Sequence, residues 1–333
     1  MLARAFRRRS LLAAVLPVLL TARATRGFAD EPPRIGWLKI QGSRHTPDQL
    51  KAFREGMHAL GLVEGRDYVL EERYADGDET RLPGLTTELI GAGVRVILAT
   101  SQPSIAAAAR VTKKVPVVGR MVDDPVADGM ARSLARPGGN ITGIYTMTEE
   151  MNPKRLALLK EAVPSARRVG VLLRRDFPNP RNADTAWQAA LAAARQLGLE
   201  LIDFDAKSAT DIEAAFAQAS AKHLDGIMTF RNPTVVTFLK LIVELSNKHR
   251  LPSVFDAREY VEAGGLMSYG PNIDATYRRL ASYVEKLLHG AAPGNLPIEQ
   301  PTTFQLVINK HTAATIGIAL PADLLARADE VLE

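Results

Sequence analysis

The sequence predicts an α/β fold with two open lobes, each built on a parallel sheet. Strand and helix patterns alternate along the chain, the strands are short and mostly apolar, and the order of segments repeats once. The length of 333 residues suits one large or two medium domains.

The first copy opens with an apolar strand at 34–38. A helix follows, with Thr46 as N-cap, Pro47 at the first helical position and Gln49 closing a capping box, and Gly61 ends it. Further strands are predicted at 68–72, 94–100 and 115–118, with helices at 79–91 and 103–111. This alternation favours parallel strands joined by right-handed crossovers.

The second copy begins near residue 168, where Arg-Val-Gly-Val-Leu echoes Arg-Ile-Gly-Trp-Leu at 34–38. Its first helix ends at Gly198, as the helix of the first copy ends at Gly61. Strands at 199–204, 224–228 and 251–255 alternate with helices at 210–221 and 234–249. The offset of roughly 125–136 residues indicates a repeated architectural unit.

Two such sheets in tandem predict a cleft, because ligands of open α/β sheets bind beyond the carboxyl ends of the strands. Two facing lobes can also close by a hinge. The loops after the strands supply the candidate ligand-binding residues. In the first copy and its crossover these are Gln41, Ser43, His45, Thr100, Ser101, Gln102, Asp123 and Tyr145; in the second they are Phe177, Asn179, Arg231, Asn232, Asp256 and Tyr260.

Charged and helix-capping residues among these candidates suggest how a small ligand could be held. Ser101 and Gln102 open a helix whose free N–H groups could bind a carboxylate, although Ser101 could equally serve only as an N-cap. Arg231 could pair with a ligand carboxylate or stay a solvated loop cation. Asp256 could accept a ligand amine or cap the next segment.

The remaining candidates carry weaker signals. Phe177, Tyr145 and Tyr260 could stack on a planar ligand or could simply pack in the core. Asp123 precedes Asp124 and Pro125, a pattern that is more typical of a turn than of a ligand contact. We expect a small polar or zwitterionic organic ligand held between the lobes.

Residues 1–29 read as a secretory signal peptide. They contain six arginines and no acids, and an apolar run at 11–20, which is too short to span a bilayer, follows the basic stretch that ends at Arg9. Gly27-Phe28-Ala29 fits a cleavage site before Asp30. A membrane-anchored N-terminal helix is the alternative. Arg8 and Arg9 resemble a twin-arginine motif, which leaves two export routes to the periplasm open.

The leader also explains the net charge of +5. Taking its six arginines from the 42 basic residues leaves 36 against 37 acidic ones, a net of −1 for the rest of the chain. We therefore expect no nucleic-acid partner. The chain has no cysteine, so it lacks the acylated residue of a bacterial lipoprotein and needs no disulfide.

The sequence shows no catalytic or cofactor motif. Its six histidines have no metal-like spacing, and no nucleophile elbow or P-loop occurs. The glycines at 138–139 precede a strand rather than open a helix, unlike a dinucleotide fingerprint. We expect a binding protein with no cofactor and no bound metal, and not an enzyme such as an exported hydrolase or reductase.

With these segments in order, the chain resembles the ABC-transporter substrate-binding proteins of the tryptophan/tyrosine-receptor type over about residues 33–330. The most specific matches are Pro-Gly-Gly-Asn-Ile-Thr-Gly at 137–143 and Val-Glu-Ala-Gly-Gly-Leu-Met-Ser-Tyr-Gly at 261–270. Shorter matches lie at 53–57, 96–100 and 122–126.

The resemblance implies a type I periplasmic-binding fold, with two Rossmann-like lobes joined by a three-strand hinge. The first lobe would comprise 33–145 and 274–300, and the second 146–273 and 301–333. It implies a monomer that delivers its ligand to an ABC permease in the inner membrane. A periplasmic sensor subunit that presents its ligand to a signalling receptor is the alternative.

Two departures bear on the ligand. Members that bind aromatic amino acids usually carry a His-Pro pair after the first strand, whereas here Thr46 separates His45 from Pro47. Where an Asp-Asn pair is usual, this chain has Arg231 and Asn232. The resemblance therefore implies an amino-acid-like or carboxylate ligand rather than a particular amino acid.

Overall fold

The computed structural model describes residues 31–42, 47–177 and 180–333. The predicted leader, the predicted cap at Thr46 and the candidates Ser43, His45 and Asn179 lie outside the described residues. The strands are β1 (Arg34–Lys39), β2 (Val69–Tyr74), β3 (Val94–Ala99), β4 (Val117–Met121), β5 (Ile141–Tyr145), β6 (Arg168–Leu173), β7 (Glu200–Asp205), β8 (Gly226–Thr229), β9 (Ser253–Phe255), β10 (Met267–Pro271), β11 (Phe304–Asn309) and β12 (Glu330–Leu332). The helices are α1 (Pro47–Ala59), α2 (Leu82–Gly91), α3 (Gln102–Val111), α4 (Asn152–Ala162), α5 (Pro180–Leu197), α6 (Ala209–Ala221), α7 (Pro233–Thr237), α8 (Leu239–Lys248), α9 (Arg258–Glu262), α10 (Ile273–Leu288), α11 (Lys310–Ile316) and α12 (Ala322–Ala326).

The first sheet has the strand order β2-β1-β3-β4-β5, and all its pairs are parallel. Its two faces bury alternate residues of each strand, as the period of a strand requires. Trp37 of β1 packs on one face against Phe53 of α1 and Tyr277 of α10, with ring centroids 5.9 and 5.7 Å apart. Leu38 packs on the other face with the helices α2 and α3. The sheet is therefore covered by helices on both sides.

The second sheet has the order β12-β11-β10-β9-β8-β6-β7. Its pairs are parallel except β10 with β11, which is antiparallel. Its first five strands in chain order, β6 to β10, have the same relative order as β1 to β5 of the first sheet. The sequence repeat thus corresponds to a repeated topology, and two parallel-dominated α/β sheets agree with the predicted fold class.

The chain passes between the sheets three times. It leaves the first sheet after β5, returns after β10 to form α10 against α1, and leaves again near Glu299, which bridges to Ile144, before β11. The C-terminal residues complete the second sheet as β11 and β12.

The two glycines matched in the repeat end their helices in the same way. Gly61 and Gly198 have φ of +81° and +65°, a region that favours glycine. In each case the N–H of the following residue donates to a carbonyl five positions back, the Schellman pattern, at 3.0 Å to Met57 and 2.8 Å to Ala194.

Two of the differences from the sequence prediction concern elements beside the cleft. The predicted helix at 234–249 is divided into α7 and α8 at Phe238, whose φ and ψ of −101° and 25° interrupt it. Strand β4 extends to Met121, because parallel pairing with β5 continues from Val117 as far as Met121. The extension places Arg120 inside a central buried strand.

Candidate functional site

The carboxyl ends of the two sheets meet at a cavity with two adjoining compartments. Phe177, Arg231 and Asn232 line both. The cationic compartment, with a free volume of about 30 Å³, is lined by Lys39, Gln41, Thr100, Ser101, Gln102 and Arg120 of the first sheet and its helix α3. The acidic compartment, with a free volume of about 20 Å³, is lined by Asp123, Glu149, Leu173 and Phe230. Free volumes of this size hold one or two waters, so an organic ligand needs the two sheets to move apart before it can enter.

Arg120 is the most unusual group in the cavity. It projects from β4, is only 4% exposed, and its Nε and Nη1 find no hydrogen-bond partner among the described residues. Burial, with Arg231 nearby, lowers the pKa of Arg120, while the Tyr277 phenol raises it. Asp256 also acts on Arg120 as a counter-charge. A buried guanidinium whose Nε and Nη1 have no partner is nevertheless costly, so this group is poised for an anion.

Lys39 ends β1 beside Arg120. It is 3% exposed, and its Nζ donates to Oε1 of Gln49 at 2.7 Å. Burial, followed by repulsion from Arg120 and Arg231, holds the pKa of Lys39 well below its usual range. Three basic side chains, Lys39, Arg120 and Arg231, therefore lie close together in this compartment.

Arg231 and Asp256 form a buried ion pair between Nη1 and Oδ2, with side-chain exposures of 7% and 1%. Burial favours the neutral form of Asp256, but Arg231 and Arg155 outweigh it and hold the pKa of Asp256 below its usual range. The backbone N–H of Arg231 donates to Oε1 of Glu149 at 3.0 Å. Asp256 does not itself line either compartment.

Asp123 and Glu149 form the acidic side of the cavity. Burial raises the pKa of Asp123 to about 8, helped by repulsion from Glu149. Burial also raises the pKa of Glu149 to about 7. Within the part of the chain that the structure describes, Oδ2 of Asp123 is buried without a hydrogen-bond partner. Asp123 can therefore donate a hydrogen bond as a neutral acid near neutral pH.

Arg155 of α4 links two of the chain crossings. Its Nη1 donates to the carbonyl of Thr148 at 2.9 Å and to Oδ1 of Asn152 at 2.6 Å, and its Nε donates to the carbonyl of Tyr269 at 2.8 Å. This buried network joins the segment after β5 to strand β10 and positions Glu149, which accepts from Asn152 at 2.6 Å.

Polar side chains also connect the two sides of the cleft. Gln102 donates to Oδ2 of Asp128 at 2.6 Å, and Asn182 of α5 donates to the other oxygen of the same carboxylate. Arg174 donates to Oε1 of Glu79 at 3.4 Å. These contacts hold the two halves together over the cavity.

Capping uses two of the predicted ligand-binding side chains. Ser101 is the N-cap of α3, where its hydroxyl accepts from the N–H of Ser104 at 3.4 Å. Asn232 caps α7 by accepting from Thr234 and Val235, and it donates to the carbonyl of Phe230. Both residues also line the cationic compartment, so each one caps a helix and contributes to the cavity wall.

Of the three aromatic residues predicted to bind the ligand, Phe177 lines the cavity, whereas Tyr145 and Tyr260 do not. Phe177 lines both compartments, with Arg174 5.6 Å over its ring. Tyr260 lies away from the cavity, stacked on Phe255 at 4.4 Å and donating to the carbonyl of Val235. Tyr145 at the end of β5 donates to Glu150 and also lies outside the two linings.

Sequence reasoning missed Lys39, Arg120, Glu149 and Arg155. A signal existed for the first two, because a charged residue within or at the end of an apolar parallel strand is seldom buried without a partner. Glu149 and Arg155 follow β5 in a polar stretch without any such pattern. Only the way the chain crosses between the sheets brings those two residues to the cavity.

Two features are absent from the described residues. No helix there is both long and apolar enough to cross a bilayer. No group of His, Asp or Glu side chains there could hold a metal ion.

A cavity built from both sheets, at the carboxyl ends of their strands, defines a two-lobed small-molecule receptor. The family model described as "ABC transporter substrate binding protein" matches residues 46–332, and the chain belongs to this family.

Similar proteins share the architecture. A tyrosine-binding protein of Clostridioides difficile is 22% identical over 269 residues, which cover 80% of this chain and 76% of the relative. A conserved domain protein of Vibrio cholerae superposes with a TM-score of 0.80 at 26% identity, covering 90% of this chain and 99% of the other. An ABC domain from Streptococcus pneumonia, solved in complex with L-Trp, gives 0.81 at 23% identity, covering 90% and 100%.

Proposed function

We propose that this protein is an exported, monomeric receptor that captures a small organic ligand carrying a carboxylate and delivers it to an ABC permease in the inner membrane. One observation carries the proposal. Both sheets contribute to a single buried cavity, where polar groups of Arg120 and Asp123 have no partner among the described residues. Buried polar groups without partners mark a place where a ligand completes the hydrogen bonding.

Two relatives support the ligand size and the carboxylate. One is described as tyrosine-binding and the other was solved with L-Trp, and both of these amino acids carry a carboxylate. The absence of a catalytic motif in the sequence favours binding without turnover.

The test starts from the intact protein, purified from the periplasm of an expressing bacterium. Native mass spectrometry should detect a co-purifying small molecule, and calorimetric titration should return its affinity. Prolonged incubation should leave that molecule unchanged. Conversion in proportion to protein concentration would refute the receptor role.

Delivery needs a second measurement, because a sensor subunit would bind its ligand in the same way. The receptor should stimulate ATP hydrolysis by its permease complex in membranes only when the small molecule is present. Stimulation of a signalling receptor instead would overturn the transport role while leaving the binding role intact.

A further inference from the structure

The charges in the cavity narrow the class of ligand. Three cations, Lys39, Arg120 and Arg231, line the cationic compartment, and no acidic residue is among its described lining. The cationic charge is therefore not cancelled by a carboxylate on the compartment wall.

The carboxylates that act on these cations lie outside the lining of the compartment. Asp256 is bonded to Arg231 through Oδ2, and its Oδ1 has no partner among the described residues. Glu259 raises the pKa of Lys39 only as a smaller effect than the two arginines that lower it, and it lines a separate groove on α9. In the described structure Arg120 forms no hydrogen bond to any carboxylate. The Asp256 carboxylate raises the pKa of Arg120, but by less than burial and Arg231 lower it.

The acidic compartment offers little to an amine. Glu149 already accepts from the N–H of Arg231 through one oxygen and from Asn152 through the other. The pKa of Asp123, about 8, makes it a neutral hydrogen-bond donor at neutral pH. Arg174 and Arg231 line the same compartment. An ammonium group would meet two cations there, and Asp123 would have to ionise before it could pair with the amine.

We propose that the cavity selects an organic acid without an amino group, whose carboxylate pairs with Arg120 and lies beside Lys39 and Arg231. This inference rests on the proposed function and narrows its ligand class. A carboxylate would neutralise the buried guanidinium and accept from its Nε and Nη1, the geometry that guanidinium and carboxylate groups share. An α-amino acid would add a like charge to the same cavity.

Matched pairs of compounds test the proposal, with thermal shift and calorimetric titration of the full mature protein as readouts. The pairs are succinate with L-aspartate, 3-(4-hydroxyphenyl)propanoate with L-tyrosine, and indole-3-propanoate with L-tryptophan. In at least one pair the acid should bind about tenfold or more tightly than its amino acid.

A variant assigns the binding to Arg120. Arg120→Met should weaken binding of that acid by roughly 30-fold or more. It should also melt at a higher temperature than the wild type without added acid, since it removes an uncompensated buried charge. The matched control is Arg95→Gln, an exposed arginine of neighbouring β3, which should bind normally.

The outcomes separate this inference from the receptor role. Tighter binding of amino acids than of their deaminated partners would overturn the inference and leave the receptor role standing. Binding of none of the acids would also overturn it, whereas the receptor role depends on the co-purifying molecule. Unchanged acid affinity in Arg120→Met would show that the carboxylate site lies elsewhere.

Discussion

Replacing Asp256 with alanine should destabilise the protein strongly. The side chain is 1% exposed and bonded to Arg231, which is itself 7% exposed, so the change leaves a buried guanidinium without its counter-charge. Breaking a buried pair from one side costs about 3–5 kcal/mol. For a chain of this length that corresponds to a fall in melting temperature of about 5–10 °C.

Urea unfolding followed by circular dichroism, together with a thermal scan, measures the loss. The control is Glu200→Ala, which removes an ion pair with Arg168 whose side chains are 60% and 48% exposed. An exposed pair contributes about 0–1 kcal/mol, so this variant should remain close to wild type. The double change Arg231→Met with Asp256→Leu should recover much of the loss, because apolar residues of similar volume replace the charges.

Two results would refute this reasoning. A loss below about 1 kcal/mol in Asp256→Ala would mean that water or another carboxylate compensates Arg231. A double variant no more stable than the single one would mean that shape, rather than charge, accounts for the loss.

The ion pair between Asp256 and Arg231 also predicts how the stability of the folded protein changes at acid pH. A carboxyl whose pKa is lower in the folded state stabilises the protein above its unfolded pKa, and that contribution is lost as pH falls through the folded pKa. Arg231 and Arg155 lower the pKa of Asp256 against the effect of burial. Wild type should therefore lose this part of its stability below about pH 4, and Asp256→Asn should lack it.

Three further predictions concern other sites. The urea midpoint of Asp123→Asn should be higher than that of the wild type at pH 8.5 and close to that of the wild type at pH 4. The raised pKa of about 8 for Asp123 costs the folded protein stability as pH rises from the unfolded pKa towards 8. Equal midpoint differences at both pH values would contradict this. Gly143→Ala should give insoluble or unfolded protein, since a Cβ would lie 2.1 Å from the carbonyl oxygen of Gly119, and normal folding of this variant would refute the packing argument. As the control, Gly84→Ala in α2, where a Cβ meets nothing within 4 Å, should raise the free energy of unfolding in urea by about 0.5–1 kcal/mol. Intact-mass analysis of periplasmic protein should give a chain starting at Asp30, and a mass that includes Met1 would exclude cleavage of the leader.

The sequence determined much of this protein by itself. Apolar strands alternating with helices specify two parallel α/β sheets, because apolar periodicity and turn residues are local properties that the chain expresses wherever it folds. The repeat gave both sheets the same strand order, and glycine signals placed the ends of α1 and α5 at Gly61 and Gly198. The rule that ligands bind at strand carboxyl ends then selected Gln41, Thr100 to Gln102, Asp123, Phe177, Arg231 and Asn232, which line the cavity.

Tertiary structure decided which charges meet. Arg231 and Asp256 follow different strands, and only the adjacency of β8 and β9 pairs them with each other rather than each with a ligand. Arg120 lines the cavity because pairing with β5 extends β4 to Met121, beyond the strand that the sequence predicts at 115–118. Whether a charged side chain is neutralised depends on atoms within a few ångströms that are distant in sequence. The sequence pattern therefore located the cavity, and the packing of the two sheets set its electrostatic preference.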